Sequence, residues 1–120
     1  MIRLPYPPSA NVYYRNFRGR TVISAKGREF KLAAGWLCKA AGMQILGGDV
    51  EVLAILHPKL TKMNVASKTR IDIDNLCKPL LDCMNGIAYV DDSQIVRLVV
   101  EIGAAVKDGG ISVQVREAGI

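Results

Sequence analysis

Cysteine and histidine are scarce in this sequence of 120 residues. The three cysteines, Cys38, Cys77 and Cys83, are odd in number and form no Cys-x-x-Cys pair, and His57 is the only histidine. Such a set argues against a disulfide framework and against the usual zinc ligand patterns. We therefore predict free, mostly buried thiols in a reducing compartment and a structural role for His57.

Long apolar runs are also missing. No stretch approaches the roughly 18 consecutive apolar residues that would span a bilayer. The N-terminus lacks the charged, apolar and small-residue regions of a signal peptide, so we expect a cytoplasmic protein. Because half of its residues are hydrophobic, the chain is long enough to form one compact domain, residues 1–120, but not two.

Acidic residues are nearly absent from the first third of the chain. Residues 1–40 contain one acid, Glu29, against eight basic side chains, and Lys59, Lys62, Lys68 and Arg70 follow with no acid among them. The net charge is +5. A basic surface of this kind either binds a polyanion such as nucleic acid or is simply solvated.

The acids collect instead between Ile71 and Ile95, a stretch with only one basic residue, Lys78. Five of the eleven acidic residues lie there: Asp72, Asp74, Asp82, Asp91 and Asp92. Because like charges raise each other's pKa, such clustering weakens a fold unless a cation neutralises it. A divalent metal is the simplest cation of that kind.

The spacing of apolar residues predicts the order strand, helix, strand, helix, strand, strand. A short strand at residues 2–4 stops at the following prolines, Ser24 caps a helix that runs to about Leu46, and residues 50–56 form a central strand. A second helix begins at Asp72 or Asp74. Within it, Pro79 either costs one hydrogen bond or indicates a later helix start.

The C-terminal part alternates between apolar and polar residues. Residues 94–102 and 111–115 are predicted to pair as an antiparallel hairpin around the turn at residues 107–110. The expected fold class is therefore α+β: a two-layer domain with a mixed β-sheet, helices packed on one face and a C-terminal β-hairpin.

Residues 9–24 are predicted to be a long polar connection that mixes aromatic rings with guanidinium groups. Its polar and aromatic members include Asn11, Tyr13, Tyr14, Arg15, Asn16, Arg18 and Arg20. Such a segment can stack on bases and bind phosphates. Alternatively, it is a surface loop whose tyrosines pack on the core.

The acidic stretch contains three features that admit a functional or a structural interpretation. Asp72 and Asp74 either cap a helix or, on an extended approach, point to the same side and bind one hard cation such as Mg²⁺. Asp74, Lys78 and Asp82 recur every four residues, which suits surface ion pairs or an ammonium placed near a phosphate. The pair Asp91-Asp92 is either a turn or the source of a metal ligand from a second element.

Three segments, residues 7–14, 70–82 and 90–95, resemble the RusA family of Holliday junction resolvases. The similarity covers nearly the whole chain in the family's order; the middle segment, residues 70–82, is specific, and the first is looser. The resemblance implies a small homodimer, often phage-encoded, in a bacterial or phage-infected cell. It also implies that four-way DNA junctions are bound and cut by paired nicks with Mg²⁺, for which Mn²⁺ can substitute.

The resemblance also implies roles for individual residues. Asp72, Asp74 and Asp92 would bind the metal, and Lys78 would complete the catalytic set. The expected nucleic-acid contacts are Ser9, Asn11, Tyr13, Tyr14, Arg15, Arg18, Arg20, Lys68 and Arg70. The chain departs from the family where a dense arginine run is reduced to residues 68–70, and where Ala10 and Val12 replace polar or basic residues.

The favoured hypothesis is thus a Mg²⁺-dependent endodeoxyribonuclease that resolves Holliday junctions. The alternative is a branched-DNA or single-strand DNA binding or regulatory protein that uses the same basic flanks without cutting. A metal-dependent phosphatase acting on small esters would explain the acids but not the basic segments. Strand scission of a synthetic four-way junction only when Mg²⁺ is present would distinguish the enzyme from the binder.

Overall fold

The computed structural model describes residues 1–63, 65 and 71–119. The strands are β1 (Ile2–Leu4), β2 (Tyr14–Phe17), β3 (Arg20–Ile23), β4 (Val50–His57), β5 (Ile95–Ile102) and β6 (Gly110–Glu117), and the helices are α1 (Ala10–Tyr13), α2 (Ala25–Ala40) and α3 (Ile73–Cys83). Four strands form a mixed sheet in the order β1-β6-β4-β5, and β2 pairs with β3 separately. The predicted α+β fold with a mixed sheet is confirmed.

Strand β4 is the centre of the main sheet, as predicted, with β6 on one side and β5 on the other. Its alternate residues Val50, Val52, Ala54 and Leu56 are fully buried. They belong to one core cluster with apolar residues of α2 and α3, including Phe30, Ala34, Cys38, Leu76, Leu80 and Cys83. The intervening β4 residues, such as Glu51, are only partly buried, which places the core on one face of the sheet.

The two C-terminal strands form where the alternation placed them, but they are not neighbours. β5 pairs with β4 in parallel and β6 pairs with β4 antiparallel, so β4 lies between them. The predicted direct pairing of β5 with β6 is therefore wrong, although the two strands do run in opposite directions. The seven-residue connection is long enough to pass one strand, and the most apolar strand takes the central position, where both ladders shield it.

Helix α2 begins at the predicted cap and ends earlier than expected. The Ser24 side chain accepts a hydrogen bond from the Gly27 amide at 3.0 Å. The helix stops at Ala40 because Gly42 adopts a positive φ of 82°, while the amides of Gly42 and Met43 donate to the carbonyls of Lys39 and Cys38. This pattern is the Schellman termination that glycine favours.

Residues 9–24 are more regular than predicted. They contain α1 and an antiparallel hairpin of β2 and β3, in which Tyr14 pairs with Ile23 and Phe17 with Arg20. Arg18 and Gly19 both have positive φ values, 51° and 75°. Two such residues make the tight turn whose twist matches paired strands, and this explains why a polar, charged segment forms a hairpin.

Helix α3 starts at Ile73 and runs through Pro79 to Cys83. Since proline has no amide hydrogen, the carbonyl four residues earlier, that of Asn75, loses its helical donor. The first of the two predicted alternatives for Pro79 therefore holds. Leu76, Leu80 and Cys83 face the core, which turns Asp74 and Lys78 outward.

The cysteines and the single histidine have the predicted environments within the described part of the chain. All three cysteines are free, Cys38 and Cys83 are buried, and Cys77 is half-buried. His57 is buried at the end of β4, with Nδ1 2.8 Å from the Ala104 carbonyl oxygen and Nε2 2.7 Å from Ser112 Oγ. None of the described helices is long and apolar enough to cross a membrane.

Candidate active site

A groove of about 430 Å³ lies between helix α3 and the edge strand β5. Apolar side chains form much of its surface, and four charged residues line it: Asp74, Lys78, Asp82 and Asp92. Three of the four come from α3 at intervals of four residues, which places them on one helix face. The fourth comes from the turn before β5. Two separate elements thus supply carboxylates to one groove.

A rigid turn holds Asp92 at the groove. Asp91 precedes the short 3₁₀ turn Asp92–Gln94, and its carboxylate accepts the Ser93 amide at 3.0 Å. Gln94 Oε1 accepts the amides of Val90 and Asp91, so the two side chains form a capping box. The Asp91 carboxylate is thus exposed and engaged in capping, and its hydrogen bond to Ser93 lowers its pKa.

Gln94 also binds the segment that connects α2 to β4. Its amide nitrogen donates to the carbonyls of Leu46 and Gly48 at 2.9 and 2.7 Å. These bonds link the turn to the segment between α2 and β4. Asp92, rather than Asp91, is consequently the member of the pair that faces the groove.

The carboxyl groups of Asp82 and Asp92 are close enough to form a hydrogen bond with each other. Partial burial, this bond, and the negative charges of Asp92 and Asp91 raise the pKa of Asp82 to about 6. Two carboxylates this close to each other either share a proton or require a cation. Asp82 was not predicted as a site residue, although its spacing of four and eight residues from Lys78 and Asp74 carried the signal.

Tyr14 connects the β2–β3 hairpin to the groove. Its hydroxyl donates a hydrogen bond to Asp82 Oδ2. The Lys78 ammonium lies over the same ring, 5.5 Å from the centroid. The ring of Tyr14 meets that of Tyr13 edge to face, with centroids 4.8 Å apart. Tyr14 is therefore positioned from three sides, and its location depends on the fold of residues 10–17.

Asp72 occupies a different position from the other predicted ligands. It stands at the N-cap of α3, is exposed, and accepts a hydrogen bond from Asn75 Nδ2 at 2.9 Å. Asp74 lies in the first turn of that helix. Asp72 thus takes the N-cap position of the structural alternative, and joint metal binding by the two carboxylates stays a prediction. The structure brings Asp74, Lys78 and Asp92 to the groove, and Asp72 is not among its lining residues.

The donor chemistry of the groove suits a hard cation. Asp74, Asp82 and Asp92 offer carboxylate oxygens, the preferred ligands of Mg²⁺. Burial raises the pKa of Asp82, and the nearby carboxyl groups of Asp92 and Asp91 raise it further. Across the described residues, no three acidic, histidine or cysteine side chains lie close enough together to hold an ion. Residues 66–70, which precede Asp72, lie outside the described part of the chain.

The residues predicted to contact nucleic acid have very different exposures. Asn11, Arg15, Arg18 and Arg20 are exposed, Ser9 and Tyr14 are partly buried, and Lys68 and Arg70 lie outside the described residues. Tyr13 is completely buried in the core, so the prediction that it contacts DNA is wrong. The reason is that α1 packs on α2 and α3 and turns this ring inward.

The exposed arginines of the hairpin surround an exposed aromatic ring. The guanidinium carbons of Arg15 and Arg18 lie 5.3 and 5.2 Å from the centre of the Phe17 ring. About half of Phe17 is accessible to solvent. Cations held against an exposed ring form a surface that can contact phosphates and stack on bases.

Comparison with known proteins identifies, along nearly the whole chain, the same family that the sequence motifs resemble. Residues 5–116 match the family described as Endodeoxyribonuclease RusA. The crossover junction endodeoxyribonucleases RusA of Escherichia coli strain K12 and of Enterobacteria phage 82 are each 32% identical, over 98% of this chain and 94% of theirs. The Shigella sonnei protein of the same name is 33% identical over the same shares. The chain therefore belongs to the RusA family of endodeoxyribonucleases.

Proposed function

We propose that this protein is a structure-selective endodeoxyribonuclease that resolves four-way DNA junctions by Mg²⁺-dependent hydrolysis with paired nicks. Its relatives are named crossover junction endodeoxyribonucleases, which supports the substrate. The observation that supports the chemistry most directly is the groove in which carboxylates from α3 and from the turn before β5 converge beside Lys78. Because its substrate is DNA, the protein would act in the cytoplasm of a bacterial or phage-infected cell.

Asp72, Asp74 and Asp92 are the proposed metal ligands, and Asp82 adds a fourth carboxylate beside them. When bound, Mg²⁺, or Mn²⁺ in its place, would lower the pKa of a coordinated water and balance charge on the phosphate. The crowding of Asp82 and Asp92 supports this assignment. Burial raises the pKa of Asp82 most, and the nearby carboxyl groups of Asp92 and Asp91 raise it further; a cation would relieve that second contribution. Asp82 would serve as a positioning residue, held by the Tyr14 hydroxyl.

Lys78 would stabilise negative charge on the scissile phosphate. Its side chain is exposed at the groove and extends over the Tyr14 ring. An ammonium so placed has no carboxylate within ion-pair distance in the described part of the chain. It is therefore free to bind a phosphate oxygen, while the hairpin arginines hold the flanking DNA.

The substitution Asp74→Asn tests this proposal. The change removes a carboxylate charge but keeps the size of the side chain, so cleavage of a synthetic four-way junction should fall by at least about 100-fold. Binding of the junction, measured by mobility shift in EDTA, should stay within about twofold of the unmodified protein, because few phosphate contacts change.

Asp108→Asn is the matched control, since Asp108 is an exposed turn residue with a positive φ that asparagine also adopts. This variant should cleave normally. Retained cleavage by the Asp74 variant would contradict the assignment of the site. Binding without nicks under every divalent cation would instead identify a non-cleaving junction protein.

The paired-nick part of the proposal is tested with a supercoiled plasmid that extrudes a cruciform. Two cuts within one binding event linearise the plasmid, whereas independent cuts leave nicked circles. We expect linear product to appear without prior accumulation of nicked circles, because a homodimer presents two equivalent sites. Accumulation of nicked circles would contradict paired cutting.

A further inference from the structure

A second groove, of about 410 Å³, lies between helix α2 and the turn that follows α3. We refer to it as the α2 groove. Its apolar surface is formed by Leu32, Gly35 and Trp36 of α2 and by Ile87 of the turn. Among the described residues, the α2 groove and the groove of the candidate active site have no lining residue in common. A ligand of the α2 groove would therefore contact residues that have no part in the proposed cleavage.

The apolar side chains of the α2 groove are exposed to an unusual degree. Trp36 is 75% accessible to solvent, and Leu32 is 67% accessible. The two residues are four positions apart, so they are neighbours on one face of the helix. Large apolar side chains side by side on a surface are typical of a binding site, and tryptophan is enriched at the centre of protein interfaces. The exposed pair therefore indicates that this face of α2 contacts a ligand.

Gly35 makes this face concave. It is buried, and a Cβ added to it would lie 3.2 Å from Ile87 Cδ1. Glycine lowers helix stability relative to alanine, but here the missing side chain leaves space between α2 and the turn. Concave apolar surfaces with a few charged groups are the usual form of ligand sites. The α2 groove thus has a shape that can receive an apolar side chain.

Three cations flank the α2 groove without an acidic partner in the described part of the chain. Arg28, Lys31 and Lys39 complete its lining, in which the described residues include no carboxylate. Glu29, the only acid in the sequence of α2, is not part of that lining. Every ion pair among the described residues involves Glu51 of β4. The groove therefore carries positive charges that are available to a negatively charged ligand.

Helix stability does not explain all of these charges. Arg28 is the fourth residue of α2, and the helix dipole disfavours a cation near the start of a helix. Its Nη1 donates to the Ile23 carbonyl at 2.9 Å, which fixes the guanidinium beside the groove. Lys39 lies in the last turn, where the dipole favours a cation. A ligand with negative charge accounts for both residues.

Among negatively charged occupants, an acidic peptide fits the α2 groove better than DNA. Duplex DNA presents phosphates and sugars, and protein–DNA interfaces are more polar than protein–protein interfaces. DNA would therefore leave the apolar space beside Trp36 unused. The residues of the sequence outside the described part, 64, 66–70 and 120, include no acid and so do not match the charge of the groove. These observations favour an acidic segment of another protein.

We propose that the α2 groove binds an acidic segment of a partner protein. Bulky apolar side chains of the segment fill the space beside Trp36, and its carboxylates pair with the flanking cations. From Arg28 to Lys39 the helix rises by about 16 Å, a distance that about five residues of an extended segment cover. The α2 groove thus joins the protein to a partner and does not depend on the cleavage chemistry.

Trp36 provides the readout for a binding test, because it is the only tryptophan in the sequence. The probe is the acetylated peptide Asp-Asp-Leu-Ser-Phe-Asp-Asp, whose two apolar side chains point to the same side of an extended chain. Titration of the probe should shift the Trp36 emission to shorter wavelength, with saturation, as the ring leaves water. The same peptide with asparagine in place of each aspartate should bind at least about tenfold more weakly, since it cannot pair with the cations.

Substitutions on the exposed side of α2 locate the binding site. Leu32→Gln removes an apolar contact and should raise the dissociation constant of the probe by about tenfold. Lys39→Gln removes a flanking charge and should raise the dissociation constant by about threefold. Glutamine is a good helix former, so both variants should fold.

Matched controls lie on the same helix. Leu37→Gln changes a leucine that is 41% exposed and does not line the α2 groove. Lys26→Gln neutralises an exposed lysine that is also outside the groove. Both variants should bind the probe within about twofold of the unmodified protein, as expected of surface substitutions away from a binding site.

The inference would be overturned if the probe caused no saturable change in Trp36 emission, or if the asparagine peptide bound equally well. Equal losses for Leu32→Gln and Leu37→Gln would also overturn it, because binding would then not be located in the α2 groove. A four-way junction in EDTA should leave Trp36 emission unchanged. A shift caused by the junction and weakened by Leu32→Gln would assign the groove to DNA instead. No step of the test requires metal or cleavage, so its outcome is independent of the proposed function.

Discussion

At the scale of single residues, Asp82 makes the stability of the protein depend on pH. Its pKa is raised to about 6 in the folded protein and is about 3.9 in an unfolded chain. Between these values the folded state binds more protons than the unfolded state, so the free energy of unfolding falls as pH rises from about 4 to 6.

Asp82→Asn removes that loss of stability. The variant's free energy of unfolding, relative to that of the unmodified protein in EDTA, should be about 1 kcal/mol higher at pH 7.5 than at pH 4. Solvent screening at this half-buried site keeps the increase small. Urea unfolding at the two pH values measures the gain. Asp108→Asn, which makes the same change of side chain at an exposed turn residue, is the control. A gain that is equal at both pH values would mean that Asp82 is not the titrating group.

At the scale of elements, Gly27 determines how closely α2 approaches the segment that carries Tyr14. A Cβ at this position would lie 2.7 Å from the carbonyl oxygen of Tyr13 and 2.7 Å from Ile23 Cγ2. Because the Tyr13 backbone cannot shift away from the new Cβ without disturbing α1, Gly27→Ala should destabilise the protein by about 2 kcal/mol. This holds despite the better helix propensity of alanine.

Gly35 in the same helix provides the comparison. There a Cβ would meet only the flexible end of Ile87, at 3.2 Å. Gly35→Ala should therefore be neutral or stabilise the protein by up to about 1 kcal/mol. Urea midpoints of the two variants measure the contrast. Equal effects would show that packing against α1 does not limit α2.

Helices and strands that depend on local sequence signals could be predicted, whereas the order of the strands could not. Ser24 and the alternation of β5 and β6 are local signals, and the elements begin close to where those signals lie. The order of the strands is not local, because it depends on which strand buries the most apolar surface. The early end of α2 at Gly42 was missed because Gly47-Gly48 offered a competing stop signal.

The candidate site was predictable to a similar degree. The acidic clustering pointed to the right stretch of the chain, and the resemblance to the RusA family selected Asp72, Asp74 and Asp92 within it. Asp74 and Asp92 line the groove. Asp82 was overlooked because a spacing of four residues on a helix also describes ordinary surface ion pairs. Tyr13 was misassigned because composition cannot distinguish which of two adjacent tyrosines faces the core.

At the scale of the whole molecule, positive charge on the β2–β3 hairpin is separated from negative charge in the groove. Arg15, Arg18 and Arg20 are all exposed on that hairpin. Arg18→Asn combined with Arg20→Gln should weaken junction binding by about 10-fold and lower the slope of log K against log salt by about 1 to 2. Asparagine suits the positive φ of Arg18.

Lys107→Gln is the control for that measurement, since Lys107 is exposed in the connection between β5 and β6. Mobility shifts at several salt concentrations should show an unchanged slope for this variant. If the hairpin and control variants lose affinity equally, the hairpin has no special part in binding DNA.

The parallel pairing of β4 with β5 has one further consequence. Parallel strands require the chain to return across the sheet between them, and this returning segment carries Asp74, Lys78, Asp82 and Asp92. One wall of the groove is thus the edge strand β5, which within the described residues is attached to the sheet only through its ladder with β4. Detachment of β5 would disrupt the groove while the remaining core stayed folded. Mild denaturation should therefore abolish cleavage well before the protein unfolds globally.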